Sequence, residues 1–250
     1  MSEVLAEVLH LDGLWILALG ALMAGLVRGF SGFGNAMVYL PAAGQVLGPF
    51  EALTSLVLME LVAPLMHIPR ALRDGQPADV LRLGVGALVA VPVGIYILSL
   101  VEPEVFRWSV SLVALTLLIL LIKGVRYTGA LTPPLVYGTG AMGGFFAGCV
   151  GLPGPPVIML YMASTLPVAA VRANLTLYLI LADLILLVVL QTGGLLVVSA
   201  LAIGAVMVLP YLLGNWLGAV LFKPEAETLY RRIAYAIIAA SAILGLPIWT

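Results

Sequence analysis

Two glycine-rich segments hold the residue types best suited to binding chemistry. The first reads GLVRGFSGFGNA over residues 25–36, and the second reads GGFFAGCVGLPGPP over residues 143–156. Glycine and proline open the helical hydrogen-bond ladder, so that backbone N–H groups are freed and the next half-helix adds partial positive charge at its N-terminus. The two segments therefore predict an anion site. The alternative is that the glycines only allow helices to pack closely, but their paired occurrence favours the site.

Two arginines near these segments are candidate ligands for an anion. Arg28 is one of few charges in an apolar run, and its guanidinium can hold an anionic group with two hydrogen bonds. Its alternative role is to snorkel or to cap a turn. Arg172 opens a later apolar run and is explained equally well as a ligand or as a positive anchor. The predicted substrate-binding residues are Arg28, Ser31, Gly32, Gly34, Asn35, Cys149, Gly151, Gly154, Arg172 and Asn174.

Two acids and the single cysteine are further candidate functional residues. Glu60 and Asp183 lie in or near apolar runs, where an acid indicates proton binding or a partner for an arginine. The residues alone leave both interpretations open, and we take the two acids as candidates for proton coupling. Cys149 could contact a sulfur-containing substrate, although a small packed thiol is the commoner outcome.

The composition places all of these residues in a membrane protein. Of 250 residues, 63% are hydrophobic and 9% are charged, and the mean hydropathy is +1.19. Soluble proteins carry roughly 25% charged residues, so most of this surface must face lipid. In lipid only helices and closed barrels satisfy their backbone, and runs such as residues 112–122 do not alternate as barrel strands do. The sequence therefore predicts an all-α polytopic membrane protein.

The same composition argues against several functions. The net charge is −1, which offers no basic patch to nucleic acid, and a single cysteine cannot form an intrachain disulfide. Two histidines are too few for a typical metal site, and we predict no metal and no cofactor. The sequence has no zinc-protease motif and no histidine cluster, and its two lysines lie at span ends. These features argue against an enzyme and against a retinal Schiff base.

The apolar runs repeat in order along the chain. One long, broken run precedes three ordinary spans, and the pattern recurs with an offset of 119 residues, which places Gly25 on Gly144 and Gly29 on Gly148. We predict a first repeat over 1–126 and a second over 127–250, within one integral membrane domain. The predicted hairpins cover about 14–47 and 135–166, and the predicted spans cover about 52–68, 83–100, 105–122, 171–190, 195–221 and 233–248.

Length and loop charge predict that each broken run is a re-entrant hairpin. About 34 residues of helix would reach about 50 Å, well beyond a hydrocarbon core of roughly 30 Å. Basic residues cluster at 70–82, 123–126 and 223–232, and such loops stay in the cytoplasm. The hairpins then enter from opposite faces, so the halves are inverted repeats with both termini on the non-cytoplasmic side. Two tips that meet near the midplane would form the anion site.

The two segments resemble the motifs of the sulfite exporter TauE/SafE family, also called the toluenesulfonate uptake permease family. The shared patterns are Gly-x-x-x-Gly-Phe-x-Gly-x-Gly in the first segment and Gly-x-x-x-Gly-x-x-Gly with Gly-Pro-Pro in the second. VRAN at 171–174 resembles the Arg-Ala-Asn/Thr run that follows, and the resemblance covers essentially the whole chain. The chain departs from the pattern at 34–36, where the family often has a glycine run, and at 152–153.

The resemblance implies a bacterial inner-membrane carrier of sulfite, sulfonates or other organic anions, with proton coupling in many members. It also implies site residues around 31–35 and 149–156, together with Arg172 and Asn174. We therefore expect a secondary transporter, with export as the expected direction, that alternates its access around a midplane site. The alternatives are an anion channel and a carrier of a non-sulfur organic anion. The expected partners are the anionic substrate, the lipid bilayer and protons.

Overall fold

The computed structural model describes residues 8–62, 64, 68–124, 127, 129, 131–161 and 166–249, and within them the chain is helical, without a β-strand. A short 3-10 turn, Pro224–Ala226, precedes the last helix. The helices are α1 Leu14–Ser31, α2 Asn35–Ala43, α3 Pro49–Val62, α4 Ile68–Asp74, α5 Pro77–Ser99, α6 Pro103–Ile122, α7 Pro133–Val150, α8 Gly154–Tyr161, α9 Val168–Thr192, α10 Val198–Leu221 and α11 Glu227–Leu244.

Several of these helices can cross a bilayer. Among the described residues, α1, α5, α6, α9 and α10 are long and apolar enough, with 18 to 25 residues each, where a span needs about 20. Large apolar side chains stay exposed on their outer faces: Leu88, Val89 and Leu209 are 56%, 69% and 66% exposed. An apolar surface of this kind is suited to lipid and would be unfavourable in water. The prediction of an all-α polytopic membrane protein is confirmed.

Most of the predicted spans coincide with an observed helix. The predicted spans 83–100, 105–122, 171–190 and 195–221 fall on α5, α6, α9 and α10. The predicted span 52–68 falls on α3, which has 14 residues, and part of its remainder lies outside the described residues. The predicted span 233–248 falls on α11, whose early turns include Arg231 and Arg232.

The helix bounds repeat along the chain. Leu14–Ser31 and Pro133–Val150 begin 119 residues apart and also end 119 residues apart. The short helices that follow, Asn35–Ala43 and Gly154–Tyr161, begin with the same separation. So do α3 and α9, at residues 49 and 168. The helix order therefore recurs with the offset seen in the glycines, while the inversion of the two repeats and their membrane topology stay predictions.

The chain forms two compact units, and each draws on both halves of the sequence. The first consists of Met1–Met59, Val101–Leu118 and Leu196–Thr250, and the second of Glu60–Leu100 and Ile119–Leu195. In the first unit, α1 and α2 pack against α10 and α11. In the second unit, α7 packs against α5, and α9 contacts α5, α7 and α8. Each broken element therefore rests on helices from the other half of the chain.

Glycines let each long hairpin helix approach its partner at backbone distance. A Cβ on Gly29 of α1 would lie 2.7 Å from the Gly218 Cα of α10. A Cβ on Gly148 of α7 would lie 2.9 Å from the Gly94 Cα of α5. No real side chain tolerates such distances, so these glycines serve close helix packing. The same holds for the glycines one turn earlier, Gly25 and Gly144.

Candidate functional site

The first break separates α1 from α2 with two glycines in the left-handed region. Gly32 has φ 79° and Gly34 has φ 86°, values that a residue with a side chain rarely adopts. The helix therefore stops at Ser31 and restarts at Asn35 in a new direction. Gly32 is exposed, and a Cβ there would meet nothing within 4 Å. The tip of the first hairpin is thus an open turn.

The chain folds back on itself after this turn. A Cβ on Gly20 of α1 would lie 2.8 Å from the Ala42 Cβ at the end of α2. At the start of the element, a Cβ on Gly13 would lie 2.8 Å from a methyl carbon of Val46. Residues 13 and 46 are therefore neighbours, and the element begins and ends on the same side of its unit. This geometry suits a re-entrant hairpin, whose placement in a membrane stays a prediction.

Three polar side chains converge beside the first tip. The Arg28 Nη1 atom donates a hydrogen bond to the Tyr211 hydroxyl at 3.1 Å, and the Asn35 Nδ2 atom donates to the same oxygen at 3.1 Å. Asn35 and Tyr211 are buried and Arg28 is half-buried. Arg28 belongs to the last turn of α1 and Asn35 begins α2, so the cluster spans the break. Two of the predicted ligands therefore lie together.

Sequence reasoning missed Tyr211. It lies inside the apolar run that becomes α10, directly after Pro210, and its side chain is fully buried. A signal was present, because a buried tyrosine usually needs a hydrogen-bond partner for its hydroxyl. The sequence could not say which helix would supply that partner, since Tyr211 and Asn35 are 176 positions apart.

The α2 helix presents its N-terminus at the same tip. The N-cap residue, Gly34, has no side chain with which to cap the helix, and the first turn of α2 contains no acid. The first backbone N–H groups of a helix lack intrahelical partners and carry partial positive charge. Together with the Arg28 guanidinium, these N–H groups place several hydrogen-bond donors at the tip.

Ser31 is engaged within the turn. Its hydroxyl lies 2.7 Å from the carbonyl oxygens of both Val27 and Phe33 and can donate to one of them at a time. The same hydroxyl oxygen accepts a weaker bond from the Phe33 N–H at 3.4 Å. Ser31 therefore stabilises the shape of the turn, and to bind a substrate it would have to exchange one of these bonds.

The α11 helix holds α2 from the side. The Ser241 hydroxyl donates to the Val38 carbonyl at 2.7 Å. One turn earlier, a Cβ on Gly34 would lie 3.2 Å from Ile238, and one turn later Gly245 packs against Pro41. Positions 238, 241 and 245 share one helix face, so α11 lies along the whole length of α2.

The second break has the same bounds but different surroundings. Gly151 has φ 67° and ends α7, and α8 restarts at Gly154. The Tyr127 N–H donates to the Met159 carbonyl at 3.2 Å, so the chain before α7 lies beside α8 and this element also folds back. All six residues of the segment 151–156 are buried. The tip of the second hairpin is thus enclosed.

The residues at this second tip are poor donors. Pro155 and Pro156 occupy the first turn of α8, and proline has no backbone N–H, so two of the donors that a helix N-terminus offers are missing. The Cys149 thiol donates to the Gly94 carbonyl of α5 at 3.5 Å, which favours the packed thiol over a substrate contact. Gly154 lies beside Leu179 of α9.

The structure places Arg172 and Asn174 away from the second tip. Asn174 is fully buried, its Oδ1 atom accepts the Gln76 N–H at 2.6 Å, and its carboxamide lies beside Tyr161. Tyr161 ends α8, whereas Gly154 begins it, so Asn174 belongs to the far end of that helix. Arg172 is exposed in the first turns of α9. Its surroundings resemble those of a surface anchor.

The two acids proposed for proton coupling are buried. Glu60 is 6% exposed on α3, and Asp183 is 3% exposed on α9. Carboxyl groups at such positions are costly unless they are protonated or have partners, and in membrane proteins they often mark proton pathways. Asp183 also lies within electrostatic reach of Tyr178, five residues before it on α9. Their burial is compatible with proton binding and with a structural role.

A family model matches most of this chain. Searches of curated proteins and of solved structures found no match. The family model described as "Sulfite exporter TauE/SafE" matches residues 17–244, which include both breaks and the cluster of Arg28, Asn35 and Tyr211. This is a family of membrane transporters, and it implies anions of the sulfite and sulfonate type. The chain belongs to the sulfite exporter TauE/SafE family.

Proposed function

We propose that this protein is a secondary transporter that exports sulfite or a small organosulfonate across the bacterial inner membrane. We further propose that the anion binds at the first break, near Arg28, Asn35 and the N-terminus of α2. The observation that carries this proposal is the convergence of the Arg28 guanidinium and the Asn35 carboxamide at one point beside the open turn.

The chemistry of the first break suits an oxyanion. A guanidinium offers planar, paired donors that match two oxygens of a sulfonate or sulfite group. Each hydrogen bond to a charged group contributes about 1.5–3 kcal/mol, and a helix N-terminus adds roughly 0.3–1 kcal/mol for a nearby anion. Within a membrane protein these interactions are less screened than in water, so a few groups suffice to hold one small anion.

Transport requires that the bound anion reach both faces in turn. We propose that the two inverted repeats rock about the site, with both termini on the non-cytoplasmic side. Glu60 or Asp183 would bind the coupling proton, because each is a buried acid on a helix outside the hairpins. Binding of a proton would neutralise a charge that is otherwise costly in a low-dielectric environment.

The direct test is transport by the purified protein in liposomes. We expect saturable uptake of at least one of sulfite, sulfoacetate, isethionate and taurine, and faster uptake of labelled substrate when unlabelled substrate is trapped inside. Acceleration by trapped substrate is expected of a carrier, whereas a channel would conduct without saturation. Faster transport of acetate than of every sulfur anion would favour a non-sulfur carrier, and the absence of any saturable anion flux would refute the proposal.

A further inference from the structure

Tyr211 links the two donors of the first break from a third helix. Its hydroxyl oxygen accepts one hydrogen bond from Arg28 and one from Asn35, each at 3.1 Å. A tyrosine hydroxyl oxygen has two lone pairs, so it can accept both. A single atom of α10 thus contacts two side chains that lie on opposite sides of the break.

We propose that Tyr211 is the positioning residue of the anion site. Its hydroxyl oxygen keeps the Arg28 guanidinium and the Asn35 carboxamide converged while the site is empty, and it gives both donors up to the substrate when an oxyanion arrives. This proposal rests on the function proposed above, because it assumes that Arg28 and Asn35 bind the anion.

The exchange of acceptors is chemically favourable. Hydrogen bonds to an ionised oxygen are shorter and roughly twice as strong as those to a neutral oxygen, so an oxyanion outcompetes the tyrosine hydroxyl for both donors. Since both donors lie 3.1 Å from one oxygen, they are at most about 6 Å from each other. An anion with two or three oxygens on one central atom can therefore accept from both without a large movement of either side chain.

Tyr211 is anchored independently of the hairpin tip. Its main chain lies so close to α1 that a Cβ on Gly25 would overlap the Tyr211 carbonyl oxygen. Its side chain is fully buried. The hydroxyl therefore stays in place through the packing of α10 on α1, whereas Asn35 depends on the turn at residues 32–34. A fixed acceptor of this kind reduces the ordering cost of binding, because the donors need not be collected by the substrate.

The test compares two tyrosines of the same unit. Tyr211→Phe removes the hydroxyl that holds Arg28 and Asn35. Tyr39→Phe removes an equally buried hydroxyl, which is hydrogen-bonded to the Ser55 hydroxyl at 3.0 Å. With the best sulfur anion from the liposome assay, Tyr211→Phe should raise KM about tenfold, because the substrate must then order two side chains that Tyr211 no longer holds in place, and should leave Vmax within about twofold. Tyr39→Phe should leave KM unchanged.

A spectroscopic measurement on the unsubstituted protein tests the same exchange. Transfer of both donors to the anion changes the hydrogen bonding of the Tyr211 hydroxyl, so saturating substrate should produce an ultraviolet difference spectrum in the tyrosine region. The signal should persist in Tyr39→Phe. Its absence from the unsubstituted protein would overturn the proposal whether or not Tyr211→Phe folds.

The outcomes separate this proposal from the function on which it rests. An unchanged KM in Tyr211→Phe, together with a raised KM in Asn35→Ala, would overturn the positioning role and leave the anion site intact. Unchanged kinetics in both Asn35→Ala and Tyr211→Phe would place the anion elsewhere and so refute the proposed site. A fall in Vmax at constant KM in Tyr211→Phe would also contradict positioning, because it would indicate a role in the movement.

Discussion

The two broken elements share a backbone plan and differ in chemistry. Each has a helix of 18 residues, a turn with at least one left-handed glycine and a short second helix, in bounds that repeat after 119 residues. The first tip is open and lies beside a guanidinium, a carboxamide and a tyrosine hydroxyl. The second tip is buried, and two prolines occupy the first turn of the helix that follows it.

This difference teaches that a repeated helix break is not by itself a binding site. The break frees donors only if the following residues have N–H groups, and it attracts an anion only if charge and access are also present. At the first tip Arg28 supplies the charge and the exposed Gly32 leaves the turn accessible, whereas Pro155 and Pro156 remove donors at the second. We therefore expect the first break to bind the substrate and the second to serve packing.

The largest expected effect comes from Arg28. Arg28→Gln keeps a side chain that can hydrogen-bond but removes the positive charge, so substrate affinity should fall about 100-fold, as expected for the loss of charge-assisted bonds. The measurement is KM for sulfite or the best sulfonate in liposomes. The matched change at the second tip is Cys149→Ala, which should alter KM by less than about twofold because the thiol bonds to a backbone carbonyl of α5. Similar losses in both variants would contradict the asymmetry.

Replacing a packing glycine by alanine should destabilise the two broken elements to a similar extent. A Cβ on Gly29 would lie 2.5 Å from the Asn215 carbonyl oxygen, and a Cβ on Gly148 would lie 2.5 Å from the Val91 carbonyl oxygen. Gly29→Ala and Gly148→Ala should therefore each destabilise the protein by about 1–3 kcal/mol, measured as a lower unfolding temperature in detergent.

Gly138 provides the control for this packing prediction. It also lies in α7 but is exposed, and a Cβ there would meet nothing within 4 Å. Gly138→Ala should be neutral or stabilising by up to about 1 kcal/mol, because alanine favours a helix more than glycine does. A clear difference in unfolding temperature between Gly29→Ala and Gly148→Ala would show that close packing contributes unequally to the stability of the two helix pairs.

The sequence predicted the breaks and the helices better than the site. Apolar runs and glycine spacing are local signals, and they located the all-α membrane fold, the residues of both turns and the offset between them. The cluster at Arg28 depends on Tyr211, which is 183 positions away and whose partner is decided by the packing of α10 on α1. Periodicity carries no information about such a contact. Each hairpin also packs on helices from the other half of the chain, and hydrophobic periodicity does not predict this arrangement either.

The glycines of the motifs also proved to have two separate roles. Gly29 and Gly148 lie within helices and allow close packing, while Gly32 and Gly151 adopt the left-handed conformation at the turns. Spacing alone could not separate these roles, because both require a residue without a side chain. Asn174 illustrates the same limit, since it follows the second motif closely in sequence and lies at the far end of α8 in the fold.

The smallest expected effect belongs to Arg172. Arg172 comes soon after the second motif in sequence, but it is exposed in the first turns of α9, where its charge is screened by its surroundings. Arg172→Gln should therefore change KM by less than about twofold, since surface substitutions usually alter free energies by no more than about 0.5 kcal/mol. The same liposome assay measures it, with Arg28→Gln as the positive control. A tenfold rise in KM would instead make Arg172 a ligand and would give the second element a part in anion binding.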